Sequence, residues 1–393
     1  MLERVLRLRL PLQVVAALAL SAAPTAWSAP GAEPKSNGES QFLTRTRRLT
    51  FEGRRAGEGY FAPDGKRIVF QSEREPGNPF YQIYDLDLET GETRRVSTGA
   101  GKTTCAYFHP GGERILFAST HHDPNSAELQ RAELELRAAG EQRRYEWDYD
   151  PEMELYAADR RTGELQRLTD TRGYDAEGSY SPDGRWIVFA SNRDAYHREL
   201  SEAEREKLEV DPAYFAELYL MRSDGSDLRR LTDVPGYDGG PFFSADGAKI
   251  IWRRFDAEGL IADIWEMQTT NDFAPSAHRR LTDFGSMSWA PFPHPSGSYV
   301  VFTSNKLGFE NFELFIVDAD GRKEPVRVSF TDGFDGLPVF SPDGARLAWT
   351  STRYAEGGKG QMFLARWNHE SAMQSLHDAP PRGTRPPGVA EEP

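Results

Sequence analysis

The strongest constraint on the fold is a pair of short motifs that recur together along the chain. The first is a tight-turn sequence such as YSPDG or FSADG, and its final glycines are Gly65, Gly112, Gly184, Gly247, Gly297 and Gly344. The second resembles Arg-Leu-Thr, and its apolar residues are Leu49, Val96, Leu168, Leu231, Leu281 and Val328. In all six pairs the glycine follows the apolar residue by 16 positions. Two motif series in constant register indicate six structural repeats.

Each repeat has the pattern of four short strands. In the third repeat, the segments GSYS, RWIVFAS, AELYLMRS and LRRLT are separated by the turns PDG and DGSD. Proline presets φ at the second turn position, and glycine accepts the positive φ that closes the turn. Four antiparallel strands in about 47 residues are typical of a propeller blade, which buries both faces only by stacking on neighbours. The sequence therefore predicts an all-β fold, a six-bladed β-propeller of four-stranded antiparallel blades.

The chain ends predict how the ring closes. The first Arg-Leu-Thr element, in residues 42–51, precedes any complete blade, and the last blade ends after its third strand at 361–367. We therefore expect the N-terminal strand to supply the missing outer strand. The predicted organisation is a signal peptide at 1–28, a flexible tail at 29–41, the propeller at 42–368 and a flexible C-terminal tail at 369–393.

Composition limits the classes of partner. Arg4, Arg7 and Arg9 precede a short apolar run and small residues, which is the pattern of a secretory signal and predicts a periplasmic or secreted protein. The net charge of −14 disfavours nucleic acid, and the apolar run is too short to span a bilayer. The single cysteine, Cys105, excludes an intrachain disulfide. We expect a monomer without membrane insertion.

The repeats resemble those of the TolB-like periplasmic β-propeller family. The segments YSPDGRWIVFASNR, LYLMRSDGSDLRRLTD and DLDLETGETRRVS match its SPDG turn, its D-x-D-G or D-x-x-T-G-E turn and its R-L-T element. The resemblance covers roughly residues 42 to 368 and implies the fold more than the function. Only residues 29–41 separate the predicted signal from the first strand, so we expect the α/β domain that precedes the TolB propeller to be lacking. The chain also has no G-x-S-x-G elbow of the kind found in peptidases that carry such propellers.

One column of residues marks the predicted mouth of the central channel. Seven positions after each Arg-Leu-Thr apolar residue stand Ala56, Thr103, Asp175, Asp238, Ser288 and Asp335. The first hypothesis is that these side chains bind a ligand or cation, with a structural Ca²⁺ or other divalent cation as one form of it. The alternative is that each Asp caps its own turn. We otherwise expect no cofactor.

Other candidate ligand-binding residues lie in the same loop classes. Trp289 is large where its equivalents are small, and predicts either a channel plug or a stacking surface. Basic residues at the ends of second strands predict either charge balance or an anion clamp. They are Arg74, Arg193, Arg253, Lys306 and Arg353.

The two longest repeats carry insertions that predict helical lids in blades two and three. Asn125 with Glu128, and Ser201 with Glu204, have the spacing of capping boxes. His121 and His122 stand at the base of the first insertion and predict a ligand contact, a lid anchor or a metal ligand. No third histidine is fixed nearby by the sequence, so a metal-dependent enzyme would use His121 and His122 together with the Asp column.

These features predict an exported, non-catalytic propeller that binds a protein or peptide partner on its lidded face. Two alternatives remain open. One is a metal-dependent hydrolase or lyase with its site at the channel mouth. The other is an accessory propeller for a separately encoded peptidase.

Overall fold

The computed structural model describes residues 38–140, 149–269, 273, 277–354 and 359–383. The predicted signal peptide (1–28), most of the predicted tail at 29–41 and residues 384–393 lie outside the described residues. Twenty-four strands form six four-stranded sheets, and every pair of adjacent strands is antiparallel. The prediction of a six-bladed propeller is confirmed.

The first three blades follow the chain order from inner to outer strand. Blade one contains β2 (Ala56–Phe61), β3 (Arg67–Ser72), β4 (Gln82–Asp87) and β5 (Thr93–Arg95). Blade two contains β6 (Thr103–Phe108), β7 (Arg114–Ser119), β8 (Glu154–Asp159) and β9 (Leu165–Arg167). Blade three contains β10 (Ala176–Tyr180), β11 (Trp186–Ser191), β12 (Glu217–Arg222) and β13 (Arg229–Arg230).

The last three blades complete the ring. Blade four contains β14 (Asp238–Phe243), β15 (Lys249–Phe255), β16 (Ala262–Gln268) and β17 (Arg279–Arg280). Blade five contains β18 (Ser288–Pro293), β19 (Tyr299–Ser304), β20 (Glu313–Asp318) and β21 (Val326–Arg327). Blade six contains β22 (Asp335–Phe340), β23 (Arg346–Ser351) and β24 (Gln361–Trp367), and its outer strand is β1 (Leu43–Arg48) from the other end of the chain. The inner strands contact one another in ring order, β22 contacting β2.

The two recurring motifs stabilise this fold in different ways. In the SPDG turn, Ser181 Oγ donates to Asp183 Oδ1 over 2.6 Å, and Gly184 has φ +70°. In the Arg-Leu-Thr motif, the polar side chains bind a buried side chain at the start of the third strand of the same blade, which is an acid in blades two to five and a glutamine in blades one and six. Thr282 Oγ1 donates to Asp263 over 2.9 Å, and Arg280 donates to the same carboxylate over 2.5 Å. The motif therefore ties the outer strand to the third strand beside it.

Antiparallel order divides the connections between two faces of the ring. Turns between strands one and two, and between strands three and four, lie on one face, which we call the turn face. Connections between strands two and three, and from the outer strand to the next blade, lie on the other, which we call the loop face. The loop face carries α1 (Ser126–Ala138), α2 (Arg193–His197) and α3 (Glu202–Val210). Whether these helices act as lids stays a prediction.

The two predicted capping boxes differ in outcome. Ser201 and Glu204 form a complete box at the start of α3. Asn125 has helical backbone angles and makes no side-chain cap hydrogen bond, so the box predicted at Asn125 and Glu128 is wrong. The reason is that an N-cap side chain reaches the first-turn amides from an extended backbone, which Asn125 lacks.

The C-terminal segment corrects the predicted domain boundaries. Residues 369–378, expected to belong to a flexible tail, form α4 (His369–Asp378). Ala372 and Leu376 are buried in a core cluster shared by blades five and six, and His369 Nδ1 lies 2.9 Å from the hydroxyl of Tyr299. The helix was not predicted because HESAMQSLHD is short and mostly polar. Its Ala372 and Leu376 are nevertheless four positions apart, which is the spacing of one helix face.

Candidate functional site at the channel

The predicted Asp column lies inside the wall of the ring. Asp175, Asp238 and Asp335 are each 0% exposed. Each carboxylate accepts hydrogen bonds from an arginine of its own blade, namely Arg193, Arg254 and Arg353. The structure corrects the placement of this column at an open channel mouth, because the carboxylates are buried and already paired. The contacts also differ from Asx turns, since the donors are side chains rather than turn amides.

The five basic residues have separate environments rather than one common clamp. Arg193 and Arg353 neutralise Asp175 and Asp335. The partner of Asp238 is Arg254, whereas Arg253 contacts Glu177 at 2.9 Å. The Lys306 ammonium lies 4.0 Å from the ring centroid of Phe284. Arg74 lies over the ring of Tyr84, at 4.6 Å.

The remaining predicted residues also pack into the loop face. Ser288 is buried, and its hydroxyl has no hydrogen-bond partner among the described residues. Trp289 contacts the rings of Phe312 and Phe334, each at 6.1 Å between centroids, at the boundary of blades five and six. These contacts place Trp289 against loop aromatics rather than among the rings that close the channel.

His121 and His122 are half-buried beside one tyrosine. His121 Nδ1 lies 2.9 Å from Ser119 Oγ, and His122 Nδ1 lies 3.0 Å from the hydroxyl of Tyr156. Burial lowers the pKa of both imidazoles, so they are neutral at pH 7. Among the residues that the structure describes, no three His, Cys, Asp or Glu side chains lie close enough together to hold a metal ion.

A β-bulge in every inner strand turns a different column toward the channel. The pairing register shifts at this point in all six blades. The residue at the shift has a left-handed backbone, although five of the six are not glycine, and such a conformation costs on the order of 1 kcal/mol each. These residues are Glu58 (φ +45°), Cys105 (+52°), Glu177 (+59°), Gly240 (+58°), Ala290 (+50°) and Leu337 (+55°).

Hydrogen bonds between blades hold the bulges in place. The amide of Glu58 donates to Thr350 Oγ1 of blade six over 3.0 Å. The amide of Leu337 donates to Thr303 Oγ1 of blade five over 3.2 Å. The amide of Cys105 donates to Gln71 Oε1 of blade one over 3.2 Å. The bulge therefore couples each of these blades to its predecessor as well as aiming a side chain.

The bulge residues of neighbouring blades meet in a polar cluster within the channel. Glu177 of blade three accepts hydrogen bonds from Arg253 of blade four at 2.9 and 3.1 Å, and from the hydroxyl of Tyr237. Glu58 of blade one accepts from Gln71 Nε2 over 3.0 Å and from the Tyr60 hydroxyl over 3.2 Å. We call Glu58, Cys105, Glu177, Tyr237 and Arg253 the channel cluster.

Burial gives Glu58 unusual acid–base properties. Desolvation raises the pKa of its carboxyl to about 6, with a further upward effect of the Glu177 charge and an opposing effect of the Cys105 thiol. Glu58 has no ion pair among the described residues, whereas the Glu177 charge is neutralised by Arg253. A carboxyl with this pKa exchanges a proton near neutral pH, and it also offers an unpaired negative charge to a cationic group.

An aromatic layer lies next to the channel cluster. Rings from four different blades approach within 5.1 to 6.3 Å of one another, and only residues that point to the ring axis can meet in this way. They are Tyr60, Tyr107, Phe242 and Phe292. The channel is therefore narrowed by aromatic side chains next to the polar cluster.

Arg253 of the channel cluster was among the predicted residues, but the bulge residues of the cluster were missed by two positions. The column used there was the seventh residue after each Arg-Leu-Thr apolar residue, and the channel residues are the ninth. The ninth column contains two Glu, one Cys and three small or apolar residues, so it has no common pattern to draw attention. The repeated Asp of the seventh column forms structural ion pairs. The titratable side chains that face the channel belong to the ninth column.

Comparison with known proteins supports a TolB-like propeller. No protein-family model matches the chain. An uncharacterized protein of Agrobacterium fabrum is 30% identical over 109 residues, which is 28% of this chain and 31% of the relative. A TolB homolog of Chlorobium luteolum is 27% identical over 188 residues, 48% of this chain and 35% of the relative. The chain thus matches about a third of the length of each of these curated relatives.

Solved structures extend the likeness over most of the chain. A putative TolB from Agrobacterium tumefaciens superposes with a TM-score of 0.53 at 20% identity, covering 82% of this chain and 93% of that one. A gluconolactonase from Xanthomonas campestris gives a TM-score of 0.54 at 13% identity, covering 84% and 92%. At these identities the superpositions establish the fold alone. The chain is similar in sequence to TolB proteins and shares the propeller fold of a solved putative TolB.

Proposed function

We propose that this protein is an exported, TolB-like propeller that binds a protein or peptide partner on its loop face. The observation that carries the proposal is the distribution of exposed apolar side chains. Ten large apolar residues are exposed in the described chain, and eight of them belong to connections of the loop face. Those eight are Phe51, Leu129, Leu134, Val210, Leu260, Ile261, Phe309 and Tyr354.

The asymmetry argues for a binding face because exposed apolar residues scattered at random would divide between the faces. Phe51 and Tyr354 are 70% and 88% exposed, and aromatic residues contribute strongly to protein interfaces. The described strand connections of the turn face contain a single exposed large apolar residue, Leu228. None of the helices in the described residues is long and apolar enough to cross a bilayer.

The likeness to TolB proteins supports the same proposal. The N-terminal pattern of basic residues, an apolar run and small residues supports export. Cell fractionation of the full-length protein, with mass spectrometry of its N-terminus, tests this part. Recovery of the uncleaved chain from the cytoplasm would contradict it.

One triple variant and one single-site control test the binding face. The first replaces Phe51, Leu260 and Phe309 by serine, and the matched control is Leu228→Ser on the turn face. Wild-type protein and both variants are immobilised and exposed to a periplasmic extract, and any protein retained by the wild type is purified and titrated. We expect binding to be lost with the triple variant and kept with the control. Equal binding by both variants would reject these apolar residues of the loop face as the binding surface.

Catalysis in the channel is a second candidate function, and one observation favours it. The Glu58 carboxyl has its pKa raised to about 6 by burial, in the range suited to a general acid or base. The neighbouring structures include a gluconolactonase, so lactones are sensible first substrates. Turnover by the wild type that is abolished in Glu58→Gln would establish an enzyme. The accessory-propeller alternative would be supported by a retained protein that is itself a peptidase.

A further inference from the structure

A cavity beside α1 lies apart from the channel cluster. It has a volume of about 630 Å³ and opens between the helix and residues 149–152. The described residues that line it come from the helix, from the segment that precedes it and from two other connections of the loop face. They are Lys102, Asp123, Asn125, Glu128, Leu129, Ala132, Tyr149, Asp150, Pro151, Glu152 and Arg172.

Both cations of the cavity are already paired with carboxylates. Lys102 Nζ lies 3.1 Å from Asp150 Oδ2 and also donates to the carbonyl of Tyr149 over 3.1 Å. Arg172 lies 3.0 Å from Glu152. These two pairs leave two of the four acidic residues, Asp123 and Glu128, without a cation among the described residues.

Asp123 is the more informative of the two acids. It is only 7% exposed, and its Oδ1 accepts the amide of Asn125 over 2.9 Å. Its Oδ2 has no hydrogen-bond donor in the described part of the chain. Because Asp123 lines the cavity, its Oδ2 can accept a hydrogen bond from a cationic donor that enters from outside.

The rest of the lining suits a long side chain with an aliphatic stem. Leu129, Ala132 and Pro151 supply apolar wall, and Glu128 adds a second, exposed negative charge. Lysine and arginine combine an apolar stem with a charged head in this way. The volume exceeds that of one such side chain, which leaves room for the backbone that carries it.

We propose that this cavity binds a lysine or arginine side chain of a polypeptide, with Asp123 as the principal acceptor and Glu128 as a weaker one. The inference rests on the proposed function, in which the loop face binds a polypeptide, and it specifies the chemistry of the segment bound. A basic segment also fits the negative net charge of the protein, which attracts cationic partners over longer distances.

Fluorescence polarisation with the purified full chain tests the proposal. The probe is a fluorescein-labelled, end-blocked decapeptide of Gly and Ser with a central Lys-Leu-Lys, and its counterpart carries Glu-Leu-Glu. We expect binding of the lysine peptide, no binding of the glutamate peptide, and about tenfold or greater weakening in Asp123→Asn. Glu128→Gln should weaken binding about twofold. The matched control Glu135→Gln, on an exposed part of α1 outside the cavity, should leave binding unchanged.

A second pair of variants keeps the test valid if Asp123→Asn fails to fold. Ala132→Arg places a cation on the cavity wall from an exposed helical position, and we expect it to abolish binding of the lysine peptide. Ala138→Arg adds the same charge at the exposed end of α1 and should have no such effect. Equal binding by these two variants, or equal affinity for the lysine and glutamate peptides, would overturn the proposal.

Three further outcomes are informative, and the last two distinguish the cavity proposal from the proposed function. Full displacement of the peptide by an equal concentration of N-acetyl-lysine amide would overturn the assignment to a polypeptide. If the lysine peptide fails to bind while the Phe51, Leu260 and Phe309 variant still loses its partner, the cavity proposal is wrong and partner binding by the loop face is supported. If the lysine peptide binds as expected and that variant keeps its partner, the proposed contact of the partner with Phe51, Leu260 and Phe309 is wrong, and the cavity proposal is supported.

Discussion

Two columns of the inner strands, only two residues apart, have opposite surroundings. Asp175, Asp238 and Asp335 are fully buried and paired with arginines, whereas Glu58 and Glu177 point into the channel from the bulges. The first column repeats one residue type and the second is mixed. The comparison teaches that a recurring acid in a repeat protein marks the scaffold, and that a site is built where the repeats differ.

The largest expected effect is on the scaffold column. Asp238→Asn leaves the Arg254 guanidinium in the ring wall without its bidentate partner, and breaking a buried pair costs about 3–5 kcal/mol. Urea denaturation should show this loss in the free energy of unfolding, while the exposed control Glu135→Gln should change it by less than about 0.5 kcal/mol. A loss below about 1 kcal/mol for Asp238→Asn would remove the distinction between the two columns.

A smaller effect is expected at Asp335, because Arg353 has a second acidic partner. Arg353 Nη1 donates to Glu39 over 2.7 Å, and Glu39 comes from the short 3-10 helix Gly38–Gln41 that precedes β1. Asp335→Asn should cost roughly 1–3 kcal/mol, since one carboxylate still neutralises the arginine. Combining it with Glu39→Gln should cost more than the two single losses together. Strict additivity in this double-mutant cycle would show that the two acids do not share Arg353.

The channel column should affect the pH dependence of stability more than stability itself. The pKa of Glu58 is raised from 4.5 to about 6 in the folded protein, so its contribution is favourable below pH 4.5 and is lost as pH rises through about 6. Glu58→Gln removes this titration. Relative to the wild type, we expect the variant to gain about 2 kcal/mol between pH 4.5 and pH 7.5. Urea denaturation at several pH values measures the difference, and a constant difference would contradict the burial of Glu58.

The smallest effect concerns the reactivity of Cys105. Burial, followed by the charge of Glu58, raises the pKa of this thiol well above its usual range. Alkylation by iodoacetamide at pH 8 should therefore be slow in the native protein, because the thiolate is the reactive form. Glu58→Gln removes one of the charges and should speed the reaction roughly two- to threefold. An unchanged rate would indicate that the two side chains do not influence each other across the channel.

The sequence predicted the blades well because turn chemistry and motif spacing are local. Six turn glycines and six Arg-Leu-Thr elements indicate the number of blades and the place of the insertions. The capping box of Ser201 and Glu204 was predicted correctly for the same reason, since it depends on residues three positions apart. The channel column could not be predicted from the sequence. A bulge changes which side chains face the channel axis, and no residue type marks its position. The partner of Asp238 was not predicted either. It is Arg254, which was not among the predicted basic residues, and the register of β15 places it opposite Asp238.

Tertiary packing explains the other differences. The helix at 369–378 follows a strand and is short and polar, and its stability comes from Ala372 and Leu376 against blades five and six. The cavity beside α1 combines residues about 50 positions apart, and no local pattern relates Lys102 to Asp150. Local rules thus predict the repeated frame, and contacts between blades or with insertions determine the candidate sites.

The most direct test of a partner-binding loop face is hydrogen–deuterium exchange on the protein with and without its purified partner. We expect slower exchange in connections of the loop face, notably 49–55, 256–261 and 305–312, and unchanged exchange in turns such as 181–184 and 341–344 on the turn face. Protection confined to the turn face, with the loop face unchanged, would contradict it.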